Sequence, residues 1–327
     1  MIHAVDMHCD TLMHAFLIDG SNADLSSYPE LSIDLAKLEE GNAMAQFFAV
    51  FIPPAEAYRR RNMEPIPEDE YIHGCVQVMN NTVERYSSRI AHAYTAEDIE
   101  RNFKAGKISA VLSMEDGVAV HGDMQKLDAF YDMGFRCLSL TWNFENCFGY
   151  PNSKDDAIMQ KGLKDFGKRA VRHMQQIGML VDVSHLSDGG FYDVAEIAER
   201  PFVATHSNCR SICSHQRNMT DDMIRILHKA GGVMGINFCP AFLKDGSNES
   251  NIEDMAAMAM HEKEIAGTDV IALGTDFDGI EGKLEVADPH DMIKLADALI
   301  HVGFASAEVD KIFHGNVLRV LRQTMRD

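Results

Sequence analysis

Positive charge is scarce in this chain of 327 residues: 30 lysines and arginines stand against 50 aspartates and glutamates, a formal charge of −20. That balance argues against electrostatic binding to nucleic acid or an anionic membrane and favours small-molecule ligands. Long apolar runs are missing as well. No segment approaches the roughly 18 residues of a spanning helix, and the opening MIHAVDMHCD has no basic stretch leading into an apolar core and cleavage site. A cytoplasmic protein without a membrane anchor is therefore expected. The seven cysteines are an odd, scattered set that suits reduced thiols better than a disulfide framework. Cys209 and Cys213 lack neighbouring partners that would complete a zinc knuckle. The chain also has no G-x-S-x-G, no P-loop, no H-E-x-x-H and no Gly-rich dinucleotide turn after an apolar run, so no competing nucleophile or cofactor motif is in view.

What the chain has is alternation. With 46% hydrophobic residues it can bury a large core, and its length suits one large α/β barrel or two ordinary domains. Strand-like apolar runs recur at Ala4 to His8, Ala43 to Phe51, Ile108 to Met114, Cys137 to Leu140, Leu180 to Ser184, Phe202 to Thr205, Gly232 to Phe238 and Ile271 to Gly274. Helical patterns fill most intervals, among them Ala157 to Gln176, Gly189 to Glu199, Thr220 to Lys229, Ile252 to Ala266 and Pro289 to His301. Thr95 and Asp123 read as helix caps and Gly134 as a helix stop. Eight strands alternating with helices imply a parallel sheet closed into a barrel, one domain over residues 1–327 with no linker inside it. The stretch Pro53 to Pro67, with Arg59-Arg60-Arg61, reads as an excursion after the second strand, a solvated loop before a lid or partner surface.

Five of the apolar runs end in residues that bind metals or move protons: His8 and Asp10, Glu115, His185, His206 and Asp276. In a barrel all these ends open on one face, so residues remote in sequence meet in one pocket. His8 and Asp10 are two apart and point the same way from a strand. An acid at the end of ISAVLSM must be solvated, paired or bound to metal; Glu115 and Asp116 both qualify, although Asp116-Gly117 also suits a turn. Three histidines with two carboxylates exceed one tetrahedral zinc but suit two ions that share a carboxylate and a water. His121, His173, His215 and His314 have ligand chemistry without a uniting spacing and read as surface or hydrogen-bonding residues. The twenty methionines read as core filling.

These motifs, in order, resemble the membrane dipeptidase, or renal-dipeptidase-like, metallopeptidase family. The likeness runs through DMHCDTL (residues 6–12), SMEDG (113–117), LSLTWN (138–143), VDVSHLSD (181–188), THSNCRSICSHQRNMTDD (205–222), GTDFDGI (274–280) and GNVLRVL (315–321), nearly the whole chain. It implies a (β/α)8 barrel with two Zn2+ ions per chain. His8 and Asp10 would hold one ion, His185 and His206 the other, and Glu115, chosen over Asp116 by the likeness, would bridge them. Arg210 would bind the substrate carboxylate, and Asp276 the amino end and the proton for the leaving nitrogen. A homodimer is also implied. One position departs: Trp142, the sole tryptophan, stands where the family carries a histidine, and an indole neither takes up a proton nor binds zinc. It can shape a substrate wall.

The expected activity is hydrolysis of dipeptides to free amino acids by a metal-bridging hydroxide, since paired metals lower the pKa of a shared water and polarise a carbonyl. The same chemistry serves N-acyl amino acids and lactams, and with Trp142 in place a metal- and peptide-binding protein without turnover is the further alternative.

Overall fold

Eight short parallel strands close on themselves in the computed structural model, which describes residues 2–60 and 62–325. They are Ala4–Asp6, Ala43–Phe51, Ile108–Glu115, Phe135–Ser139, Leu180–Asp182, Val203–Ser207, Val233–Ile236 and Ile271–Leu273, called the first to the eighth below. Each pairs with the next, except that the third also carries a short flanking strand, Ile90–His92, and the first pairs with the eighth. The ring is closed between the second and third strands over a long register, from Ala45 opposite Ser109 to Phe51 opposite Glu115. This is the TIM-type α/β barrel expected from the alternation of runs, and every one of the eight runs is a strand within a few residues of its expected bounds.

The strands are apolar on both faces because each packs against two layers. Val5, Phe47, Val111, Cys137, Leu180, Val203, Val233 and Ala272, at least one from every strand, fill the barrel's interior together with Val317, Val320 and Leu321 of the C-terminal helix Asn316–Thr324. Leu180, Val203 and Val233 are the first residues of their strands. That helix therefore plugs the end where the strands begin and leaves the opposite end for chemistry. Alternate residues such as Phe48, Val50, Leu112 and Leu138 face outward into the larger layer under the helices.

Local chemistry sets the helix ends as the sequence suggests. Thr95 and Asp98 form a reciprocal capping box, Asp123 caps Met124–Met133, and Gly134 ends that helix at φ 111°. The pattern from Ala157 to Gln176 is two helices, Asp156–Met159 and Asp165–Ile177. Between them the chain is drawn aside by Asp193, whose carboxylate accepts the Leu163 amide at 2.7 Å, and by the Phe148 carbonyl, which takes the Lys164 amide at 2.9 Å. The excursion after the second strand carries a short exposed helix, Ala55–Arg60, with Arg59 paired to Glu56 at 2.8 Å. Arg61 lies outside the described residues.

Candidate metal centre

All six expected strand-end residues converge at the open end of the barrel, and none is more than 9% exposed. His8 and Asp10 follow the first strand, which continues past its last paired residue by tying Met7 to Leu273 and Asp10 to Phe277, while Asp276 donates its amide to His8. These bonds set Asp276, after the eighth strand, against the pair from the first. Glu115 is the last residue of the third strand. His185 and Asp276 have left-handed backbones, φ 67° and 65°, which are uncommon for residues other than glycine and turn both side chains into the opening.

His8 Nε2 lies 3.5 Å from Asp10 Oδ2, 3.7 Å from Glu115 Oε2 and 3.7 Å from Asp276 Oδ1. On the other side of the same carboxylate, Glu115 Oε1 is 3.0 Å from His185 Nε2 and 3.5 Å from His206 Nε2. Three overlapping groups emerge, each with ligand atoms close enough for one ion: His8, Asp10 and Glu115; Glu115, His185 and His206; and His8, His206 and Asp276. Glu115 belongs to the first two, one oxygen toward each.

Hydrogen bonds behind the site decide which histidine nitrogen is free. His206 Nδ1 donates to Thr205 Oγ1 at 2.8 Å, and that hydroxyl gives its own proton to Asp182 at 2.7 Å. The Nδ1 of His185 donates to Asn143 Oδ1 at 3.3 Å. Both rings then turn an unprotonated Nε2 inward, and these two atoms are 3.1 Å apart beside Glu115 Oε1. Three lone pairs facing one another repel unless a cation lies among them. His8 Nε2 and Asp10 Oδ1 are buried with no hydrogen-bond partner among the described residues, a costly state that coordination removes. A nitrogen and oxygen donor set without thiolate suits zinc or a similar borderline divalent ion.

The electrostatics agree. Burial raises Glu115 well above the usual carboxylate range, and repulsion from Asp10 and Asp276 adds to it. Burial also raises Asp276, and it lowers His185 and His206 well below the ordinary imidazole value, with Arg217 and His8 adding to the effect. Burial works against a charged His8 too, but Glu115, Asp10 and Asp276 together carry it to about 10. Without a cation this cluster must hold protons where it would otherwise hold metal.

A cavity of about 550 Å³ opens over these residues. Trp142 and Asn143 line it beside His185, and Met13, Phe51, Phe242 and Ile280 add apolar wall, while Asp278 and Glu281 join Asp10 and Asp276 on the acidic side. Gly279 is required here: a Cβ at that position would sit 2.1 Å from Asp10 Oδ2 and 2.7 Å from Asp276 Oδ1.

Arg210 is not among the residues lining this cavity. Its Nη1 and Nη2 donate to Asp188 at 2.7 and 2.8 Å and its Nε to the Asn218 carbonyl, so its fork is already taken. Arg217, from the same string and not singled out by sequence, is the guanidinium whose charge acts on Glu115, Asp276, His185 and His206. It is 5% exposed, donates to Ser207 Oγ and the His206 carbonyl at 2.7 Å each, and keeps a buried Nε without a partner. Asn237, also missed, donates to Asp276 Oδ2 at 2.8 Å. Asp116 stays out of the cluster, accepting from Asn146 and from the Val118 amide in a turn. Asp278 orders its own loop, bonded to Thr11 and the Ser32 amide. His121 and His173 pair with Glu68 and Asp128, and His314 meets the His3 carbonyl, all in keeping with ordinary hydrogen-bonding roles.

A family model described as membrane dipeptidase (peptidase family M19) matches residues 1–326. The chain is 32% identical over 254 residues to an uncharacterized protein in the pqqA 5′ region of Klebsiella pneumoniae, covering 75% of this chain and 93% of that one. It is 29% identical over 301 residues to an uncharacterized dipeptidase of Schizosaccharomyces pombe, covering 89% and 72%. A crystal structure of a metallo peptidase from Rhodobacter sphaeroides, liganded with a phosphinate mimic of the dipeptide L-Ala-D-Ala, superposes with a TM-score of 0.87 at 25% identity over 99% of each chain.

Proposed function

The chain belongs to the membrane dipeptidase family, peptidase family M19, and from that premise we propose that it is a zinc-dependent dipeptidase with two ions per chain in a single barrel domain. The observation that carries this reading is the shared carboxylate: Glu115 turns one oxygen toward His8 and the other toward His185 and His206. In this reading His8 and Asp10 hold one ion, His185 and His206 the other, and Glu115 bridges them. Bound there, the pair supplies an activated water and a polarised scissile carbonyl.

The protein's own groups do the rest. Thr205 and Asn143 keep the two imidazoles in the tautomer that leaves Nε2 free. Asp276, held by Asn237, contacts the substrate's amino end and returns a proton to the departing nitrogen, a task suited to a carboxyl whose pKa burial has raised. The substrate carboxylate needs a cation, and we assign it to Arg217 in place of Arg210, because Arg217's charge acts on Glu115 and Asp276 whereas Arg210 is neutralised by Asp188. Fixing both ends of the ligand favours dipeptides over longer chains. The seven unpaired cysteines suit a cytoplasmic setting, and no helix among the described residues is long and apolar enough to cross a membrane; a homodimer completes the proposal.

The test is amino-acid release from a mixed dipeptide library by metal-stripped protein, before and after zinc is added. Release that depends on zinc and is confined to dipeptides is expected. Cleavage of N-acyl amino acids in preference to dipeptides would overturn the assignment.

A further inference from the structure

One wall of the cavity has no part in metal binding or in holding the substrate's termini. Trp142 follows the fourth strand and lies between two phenylalanines, with ring centroids 4.7 Å away for Phe51 and 5.8 Å for Phe144, each tilted by 50–60°. Its indole is 6.2 Å from the His185 ring. Phe51 is in register with Glu115, so this aromatic group stands beside the centre itself. Phe144 packs on Trp142 without itself lining the cavity and is 58% exposed. A large ring left in water next to an otherwise packed aromatic pair gains most when a ligand covers it. The lining of the same cavity includes the carboxylates Asp10, Asp276, Asp278 and Glu281.

We propose that Phe51, Trp142 and Phe144 form a side-chain subsite that selects dipeptides carrying a large apolar residue, aromatic or branched aliphatic, over those with glycine or an acidic side chain. The proposal rests on the dipeptidase reading and extends it to substrate class. The wall offers area and ring faces with little hydrogen bonding, so a phenylalanine or leucine side chain gains what a small one leaves unused. Asp278 and Glu281, which hold neither an ion nor a substrate terminus in this reading, line the same cavity and repel an aspartate or glutamate side chain.

The experiment is a matched panel on the zinc-loaded protein. Glycine, alanine, leucine, phenylalanine and aspartate are varied at each dipeptide position in turn, with kcat/KM measured for wild type, Phe144→Ala and Trp142→Ala. A preference of about tenfold or more for leucine or phenylalanine over glycine is expected at one of the two positions, in line with the discrimination of apolar pockets. Both variants should compress that ratio toward one. Phe144 is largely exposed, so its truncation leaves the fold intact. Because Trp142 is the only tryptophan, its emission reports the subsite directly. Titration with phosphinate dipeptide analogues should show tighter binding and a larger emission change for a phenylalanine side chain than for alanine. Equal kcat/KM across the panel, an unmoved ratio in both variants, or identical titrations would overturn the subsite. If no dipeptide is cleaved, the dipeptidase reading fails, and the emission titration alone decides the subsite.

Discussion

Asn143 donates nothing to the proposed centre, yet its Oδ1 settles which nitrogen of His185 is free. Asn143→Ala is expected to leave folding intact and to weaken zinc retention by about 10–100-fold, the usual cost of removing such a partner; competition with a chromogenic chelator reads it. At Gly279 the constraint is steric. An added methyl meets the carboxylates of Asp10 and Asp276, so Gly279→Ala should cost about 1–3 kcal/mol of overpacking and also displace two of the site's acids. Its signature is lost zinc stoichiometry together with a lowered melting temperature. The two arginines separate in kinetics. Arg217→Met should lower kcat/KM on dipeptides by about 10–100-fold, the scale of one or two charge-assisted hydrogen bonds, and lose much less on C-terminally amidated analogues. Arg210→Met, which breaks the pair with Asp188, should act mainly on stability.

The strands show how much of this was legible beforehand. A strand buried on both faces is an uninterrupted apolar run, so all eight stood out in the sequence. A metal-type side chain that ends such a run stands out for the same reason, and the six that converge at the open end, His8, Asp10, Glu115, His185, His206 and Asp276, are all visible in the sequence. The loop after the sixth strand is another matter. Arg210 and Arg217 lie in one string, and Arg210 is paired with Asp188, 22 residues before it, an element the string does not contain. Thr205 and Asn237 were likewise hidden, because a polar residue beside a metal-type side chain reads the same whether it orients that side chain or merely caps a turn. The helix Ile252–Ala266 carries a further surprise in Glu262, fully buried, with Oε2 unpartnered and Cys209 Sγ 3.9 Å from Oε1. Burial raises its pKa well above the usual value. An acid raised in the folded state favours folding below its unfolded pKa, near 4.3, and that contribution is lost as pH climbs toward the folded value. Glu262→Gln should remove this slope: its melting temperature should exceed that of wild type by about 2 °C or more at pH 7.5, with the gap closing toward pH 4.5. Parallel curves across that range would count against the assignment.

For the molecule as a whole, the same buried acids that make the site make the barrel depend on what fills it. Asp10, Glu115 and Asp276 lie within one pocket, and the cations acting on Glu115 and Asp276 are His8 and, more weakly, Arg217. These acids come from the first, third and eighth strands, so repulsion among them pushes apart the open end of the barrel, whereas the C-terminal helix packs the other end. A divalent ion that binds only the folded chain adds RT ln(1 + [L]/Kd), about 4 kcal/mol at a thousandfold excess over Kd. Removing metal with a chelator at neutral pH should therefore lower the melting temperature by about 6 °C for each such ion, at roughly 1.5 °C per kcal/mol for a chain of this length, and zinc should restore it. Lowering the pH should narrow the gap between stripped and loaded protein from both sides: protons neutralise Glu115 and Asp276, whose pKa values burial has raised, and they compete with metal for His185 and His206. Glu115→Gln tests the bridge within the same assay. It replaces a buried ionisable carboxyl, whose pKa burial has raised, with a neutral amide in the stripped protein and removes one bridging ligand from the loaded one, so its stripped form should melt no lower than stripped wild type while its gain from zinc shrinks. A full zinc response in Glu115→Gln would show that the carboxylate joins no two ions, and the binuclear assignment would then give way to a single site at His185 and His206.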